Sequence, residues 1–357
     1  MDKVAADNLP DGRSVATEER RRRTTLADVA AQAGVSTVTA SRALRRPAMV
    51  SADLRARVEQ AAGELAYVRN HLASALASAR THTIGVVIPS LTNGVFADYL
   101  RALHDSLMPA GFQVLVSNSR YSAVEEEAAI ATILSQGPEA IIVAGVDQTP
   151  RARSLLERAA IPVVQTMELT DEPIDINIGV SHYDAGFAAT HYLLGLGHRR
   201  IAHLSARQDP RSRRRMAGYV AAMAQAGLDD PGLVAATPRP STVGLGAELL
   251  REVTARSGPI DALFCCNDDL ALGGLFECQR RGIRVPQDVS IIGFNDLEFA
   301  ASAFPSLSSV LIPRYEMGQR AAEIILDILR GAGRGPAAQV DLGFAIKARE
   351  STSHRAE

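Results

Sequence analysis

The sequence predicts a small all-α head followed by a larger, two-lobed α/β core with parallel sheets. Three observations carry this. Three short helical patterns fill residues 25–67, after which short β-branched runs alternate with amphipathic helical stretches. A length of 357 residues exceeds one ordinary domain and suits a small domain plus a larger, two-lobed domain. Charge also divides: residues 20–80 hold eleven Arg against four acids, net +7, whereas residues 81–357 hold 25 basic and 31 acidic residues, net −6. A basic segment on an acidic body points to a polyanionic partner for the head alone, a merely solvated charged face being the plainer alternative.

Residues 1–23 lack hydrophobic periodicity and end in Arg20-Arg21-Arg22-Arg23, the pattern of a disordered basic arm. Within residues 24–69 the first helix carries Leu26, Val29, Ala30 and Ala33 at helical spacing and stops at Gly34. The second starts at Ser36, a good N-cap, buries Ala40, Ala43 and Leu44, and is closed off by Pro47. The third is introduced by Ser51, has Asp53 where the helix dipole favours an acid, and buries Leu54, Val58, Ala62 and Leu65.

A helix, a tight turn and a second helix form the helix-turn-helix arrangement, which places the second helix in the DNA major groove. Val38 and Arg42 lie opposite Ala40, Ala43 and Leu44 on the helical wheel and so face outward. An exposed Val beside an Arg suits a thymine methyl and a guanine edge, and Thr37 can reach a base or a phosphate. A generic three-helix bundle with a glycine turn is the alternative.

Residues 70–80 contain a nine-residue helix-compatible run, His71–Ala79, too short to be stable alone in water. A plain linker would favour Gly and Pro, and both are absent there.

The core, residues 81–357, shows strand-like runs at Ile84–Ile88, Phe112–Val116, Ala140–Val143, Pro162–Gln165, Ile201–Leu204, Asp261–Cys265 and Val289–Phe294. Runs apolar on both faces, separated by helices such as Ala123–Ser135 and Tyr183–Leu194, imply parallel sheets covered on both sides. So many units over about 270 residues overfill one sheet, hence two lobes. A loop at Gly331–Pro336 precedes one last strand near Val340–Ala345.

Several function classes are opposed. No phosphate loop, dinucleotide fingerprint, nucleophile elbow or His-Glu-x-x-His pair occurs. The eight histidines lack metal-like spacing, and Cys265, Cys266 and Cys278 suit core packing in a reducing compartment. No run of eighteen apolar residues or signal-peptide-like stretch is present. The expectation is a cytoplasmic protein that is not an enzyme, with no cofactor, no metal and no membrane partner.

The run Thr25-Leu-Ala-Asp-Val-Ala-Ala-Gln-Ala-Gly-Val-Ser-Thr-Val-Thr-Ala-Ser-Arg-Ala-Leu44, with Val50-Ser51, Leu65-Ala66-Tyr67 and Asn70 beyond it, resembles the head of the lactose/galactose-repressor family. Arg69 departs from the family's proline and adds a phosphate-seeking charge. The resemblance covers about residues 24–350. It implies operator contacts from Thr25, Ser36, Thr37, Val38, Ser41 and Arg42, and from Asn70, Ala73 and Leu76 in a hinge helix. That hinge would fold only when two copies meet on a palindromic operator, with Leu76 entering the minor groove beside Ala73. A homodimer is implied, with a tetramer left open.

The resemblance also implies a periplasmic-binding-protein-like core with a small-molecule effector between its lobes. By family position the effector-binding residues are Asn93, Phe96, Arg215, Ser241, Asn267 and Asn295. Asp268 is expected to face the same cleft, and Arg213 and Arg214 to be solvated. Asn295 stands where most of the family carries an acid, and Ser241 where several relatives stack an aromatic. Removing a negative charge while Arg215 supplies a positive one favours a flexible anionic ligand over a purine or pyranose.

Ile88–Asp98, Phe264–Ala271 with Phe276–Arg280, Pro313-Arg-Tyr-Glu-Met-Gly318 and Asp341-Leu-Gly-Phe344 are similar to gluconate-operon repressors, so gluconate or a related sugar acid is the expected effector. A neutral sugar or sugar phosphate, an activator, and a transport-type sugar-binding protein are the alternatives.

Overall fold

The computed structural model describes residues 24–45, 47–68, 80–333 and 339–355. They divide between two compact units, bounded at Ala79 and Arg80. The expected arm, residues 1–23, and the hinge positions Asn70, Ala73 and Leu76 lie outside the described residues.

In the head, α1 (Leu26–Ala33) opens on a capping box: the Thr25 hydroxyl accepts from the Asp28 N–H while the Asp28 carboxylate accepts from the Thr25 N–H. It ends at Gly34, whose φ of +64° is left-handed and strains any residue with a Cβ. The Ser36 hydroxyl accepts from Thr39 N at 3.1 Å and starts α2 (Thr37–Arg45). Ser51 occupies the N-cap of α3 (Ala52–Glu64) without a side-chain cap bond. Val29, Ala30, Ala33, Ala40, Ala43, Val58 and Ala61 form the buried centre. Leu44, Leu54, Ala62 and Leu65 are only half-buried, because a bundle packed on alanines leaves its long side chains at the rim.

The core builds two six-stranded sheets. The first lobe strings together β1 (Thr83–Ile88), α4 (Val95–Leu107), β2 (Gln113–Asn118), α5 (Ala123–Ser135), β3 (Ala140–Ala144), α6 (Pro150–Glu157), β4 (Val163–Glu168) and β5 (Ile176–Val180). The chain then crosses into the second lobe through α7 (His182–Gly195), β6 (Ile201–Ser205), α8 (Pro210–Gln225), β7 (Val234–Ala236) and α9 (Val243–Ser257). β8 (Ala262–Cys265), α10 (Asp268–Arg280), β9 (Ser290–Asn295), α11 (Glu298–Ser302) and β10 (Ser308–Leu311) complete that lobe's run. α12 (Arg314–Leu329) returns to pack on α4, and β11 (Gln339–Asp341) and β12 (Ala345–Lys347) close the chain.

Strand order is β11-β5-β4-β3-β1-β2 in one sheet and β12-β10-β9-β8-β6-β7 in the other. β3, β4, β5, β6, β8 and β9 are buried along their whole length, as parallel strands covered on both faces must be.

The strand expected near Val340–Ala345 is in fact two. β11 runs parallel to β5 in the first lobe, and β12 runs antiparallel to β10 in the second. The chain turns between them at Gly343, φ +64°, whose N–H is taken by the Asp341 carboxylate.

Three strands have no counterpart in the sequence reading. β5 carries a buried Asn177, whose amide donates to the carbonyls of Gln165 and Glu168. β10 carries Ser308 and Ser309, and β7 is only three residues long. Polar residues satisfied by tertiary partners break the apolar pattern that marks a strand.

All three cysteines are buried and free. Among the described residues no helix is long and apolar enough to cross a membrane, and no group of side chains could hold a metal ion.

Candidate functional site

The head presents one face of α2. Val38 is 64% exposed, Thr37, Arg42 and Ser36 are exposed, and Ser41 is half-buried, while Ala40 and Ala43 point inward. Val38 is outside the buried cluster of the described head residues, so an apolar side chain stands in solvent on the same helix as the Arg42 guanidinium. Thr25 is committed to its capping box.

In the core an open cleft lies at the carboxyl ends of the strands of both sheets. It brings Asn93, Phe96, Arg215, Ser241, Asn267 and Asn295 together. The first lobe supplies Asn93 and Phe96 from the turn into α4; the Asn93 carboxamide donates to Tyr121 Oη at 3.2 Å and accepts from Val95 N at 3.0 Å. In the second lobe Asn267 caps α10, its Oδ1 accepting from Leu270 N at 3.1 Å and from the Ser241 hydroxyl at 2.9 Å. The Asn295 side chain makes no hydrogen bond among the described residues; its backbone, at φ +104°, is held by a hydrogen bond from Arg314 to its carbonyl.

Arg215 is buried. Its guanidinium lies 3.9 Å above the Phe294 ring, donates to His182 Nδ1 at 3.0 Å and to the Cys266 carbonyl. His182 in turn bonds the Met167 carbonyl through Nε2, so the hydrogen-bond pattern places its proton there. Burial, reinforced by Arg215, holds the His182 pKa well below its usual value and keeps the ring neutral. This side of the cleft is set by the contact of α7 with α8. A Cβ on Gly186 would come within 2.3 Å of the Arg215 carbonyl oxygen, so only glycine lets the helices approach this closely.

Asp268 does not face the cleft. It is fully buried, accepting from the Ser309 hydroxyl at 2.6 Å and from Leu297 N at 2.8 Å, and burial pushes its carboxyl up to about 7. Its work is to stitch the ends of β9 and β10 to α10. Arg213 is exposed as expected, but Arg214 is not merely solvated: it grips both oxygens of Asp147 at 2.9 and 3.1 Å and reaches Glu168 at 3.5 Å, both in the other lobe. Burial raises the Glu168 carboxyl to about 7 against the pull of Arg214.

Sequence reasoning missed Tyr121, Arg207, Asp209 and Arg211, all of which line the cleft. Arg211 precedes Arg215 by four residues on α8 and shares its face, a signal that was available. Arg207 stacks 3.9 Å over Tyr121 of the opposite lobe. Asp209 caps α8 and is the cleft's single carboxylate; burial alone would raise its pKa, but Arg211, Arg215 and the bonds from Ser212 hold it below the usual value.

Residues 25–70 match the bacterial regulatory proteins of the lacI family, and residues 190–352 a periplasmic binding protein-like domain. The HTH-type transcriptional regulator GntR of Pseudomonas aeruginosa is 44% identical over 92% of this chain and 96% of its own. The GntR regulator of Escherichia coli is 37% identical over 92% and 98%. A crystal structure of a LacI-family regulator from Silicibacter pomeroyi superimposes with a TM-score of 0.86 at 33% identity, covering 93% of this chain and all of that one. The Lac repressor dimer bound to operator and the anti-inducer ONPF gives 0.80 at 25% identity with the same coverage.

Proposed function

The chain belongs to the lacI family of bacterial regulatory proteins, a family of DNA-binding transcriptional regulators and not of enzymes, and on that premise we propose that it is a repressor released from operator DNA by a sugar acid, gluconate or a close relative. It acts in the cytoplasm as a homodimer on a palindromic operator. Thr37, Val38 and Arg42 read base edges, Thr25, Ser36 and Ser41 lie along the phosphates, and Asn70, Ala73 and Leu76 add further operator contacts.

One observation carries the choice of effector: the cleft lining holds three guanidiniums, Arg207, Arg211 and Arg215, against the single carboxylate of Asp209. A neutral His182 adds no charge. A cleft with excess positive charge favours an anion. Asn93, Asn267 and Asn295 offer amides to hydroxyl groups, Phe96 an apolar wall, and Ser241 leaves no aromatic plate for a flat ring.

The test has two arms. Gluconate should release the full-length protein from operator DNA and raise its melting temperature, in a screen that includes sugars, sugar acids and their phosphates. Arg42→Ala should weaken operator binding by about 1–3 kcal/mol and relax preference at one base pair per half-site. Release only by neutral sugars would overturn the anionic effector, and unchanged base preferences would overturn the role of Arg42.

A further inference from the structure

Five arginines crowd residues 207–215, and four of them are committed. Arg207 lies on the Tyr121 ring, Arg213 donates to the Gln208 carbonyl at the surface, and Arg214 holds Asp147. Arg215 is fixed by His182, the Cys266 carbonyl and the Phe294 ring.

Arg211 differs. Its side chain is only 13% exposed, yet it makes no hydrogen bond among the described residues. The carboxylate beside it, Asp209, forms a loose ion pair with it at 3.7 Å, beyond hydrogen-bond range, and already accepts from the backbone of Arg211 and from the backbone and hydroxyl of Ser212. The guanidinium reaches toward the other lobe, 5.8 Å from the centre of the Phe96 ring. A second recess that Arg211 also lines holds three carboxylates, Glu126, Asp147 and Asp209, and is a poorer place for an anion than the cleft.

We infer that Arg211 is the residue that binds the effector's carboxylate, and that Arg215 is a positioning residue which fixes His182 and the cleft floor beside it. The assignment rests on the sugar-acid reading above and adds to it the source of selectivity. A planar fork with no hydrogen bond of its own matches two carboxylate oxygens, whereas Arg215 has already turned two donors to the protein. Because Arg211 projects from the second lobe toward Phe96 of the first, a carboxylate held there also bridges the lobes.

Calorimetric titration of the full chain with gluconate and with its neutral amide, gluconamide, tests this. Wild type should prefer the acid. In Arg211→Gln gluconate affinity should fall roughly 30-fold or more and the preference over gluconamide should vanish, with operator affinity unchanged. Arg211→Lys keeps the charge but loses the fork, and should weaken gluconate about 3–10-fold.

Either variant binding gluconate as tightly as wild type overturns the assignment while leaving the sugar-acid reading intact. A wild type that binds no sugar acid overturns that reading and this assignment with it. Should Arg211→Gln lose operator binding as well, it has unfolded, and Arg211→Lys alone decides.

Discussion

In the head, the residues that fold the domain and the base-reading residues of α2 are separate sets, and only the caps Thr25 and Ser36 serve both ends. Val29, Ala40, Ala43 and Val58 are buried, and Val38 and Arg42 on the same short stretch of chain are exposed and outside the described core cluster. In the core the two sets overlap. Asn267 lines the cleft and also caps α10; Asn93 lines it and bonds Tyr121; Arg215 lines it from inside the packing of α7 on α8. Val38 or Arg42 can therefore be changed for its function alone, whereas a cleft residue changes stability and binding together. The physical reason is depth. Major-groove DNA is read by a convex surface, and a small effector by a concavity that must be cut from the core itself.

The largest effect should come from breaking the core at the α7–α8 contact. A Cβ on Gly218 would fall 2.1 Å from the Tyr183 carbonyl oxygen and 2.6 Å from Phe187 N, both backbone atoms that cannot swing aside. Gly218→Val should cost more than about 4 kcal/mol and abolish effector binding, since Arg215 rides on α8. Urea unfolding followed by core fluorescence and by effector titration reads both effects. A wild-type midpoint would show that the helices separate at little cost and that fold and site are less entangled than this contact implies.

Acid sharpens the same contrast, because the described head has no histidine while the core buries His203. Its ring is stacked on Tyr219 and tilted against Phe264, centroids 5.0 and 4.8 Å away, and neither ring nitrogen has a hydrogen-bond partner among the described residues. Burial lowers its pKa from 6.5 to about 3. The folded state therefore resists the proton that the unfolded state accepts. The stability tied to its neutral form is complete above pH 6.5 and is lost as pH falls from 6.5 toward 3, to a limit of about 5 kcal/mol. Asp268 and Glu168, with raised values, act in the opposite sense over some of that range. The comparison of wild type with His203→Phe isolates the histidine. The variant should lose less stability than wild type between pH 7 and pH 4; equal losses would show that the ring finds a partner when protonated.

The same division explains what the sequence revealed. All three head helices were legible, because each rests on local signals: Gly34, Ser36, Ser51 and a 3.6-residue apolar period. In the core the central strands were legible as apolar runs, and so were six cleft residues placed by family position. What failed was non-local. Asp268 looked like a cleft residue until Ser309, 41 positions away, claimed its carboxylate. Arg214 looked solvated until Asp147, 67 positions away, paired with it. The polar strand β5 was hidden because nothing in its own five residues tells that Asn177 is satisfied by the neighbouring strand and the turn after it. Local order writes itself into adjacent residues, and partners across a cleft do not.

The smallest predicted effect reverses the sign of the largest with the same residue type. Gly63 sits in the last turn of α3, exposed, and a Cβ there would meet nothing within 4 Å. Its backbone is helical, without the positive φ that obliges Gly34 to be glycine. Alanine at this place loses no contact and narrows the unfolded ensemble, so Gly63→Ala should stabilise the head by about 0.5–1 kcal/mol. Because the head and core are separate units, global melting is a poor readout. Amide hydrogen exchange at Val29 and Val58, both buried in the head, reports its opening alone and should slow about 2–5-fold. Exchange in the core strands should not change. Faster exchange at Val29 and Val58 would mean that α3 needs glycine for a reason other than space, and that double duty in the head extends beyond its caps.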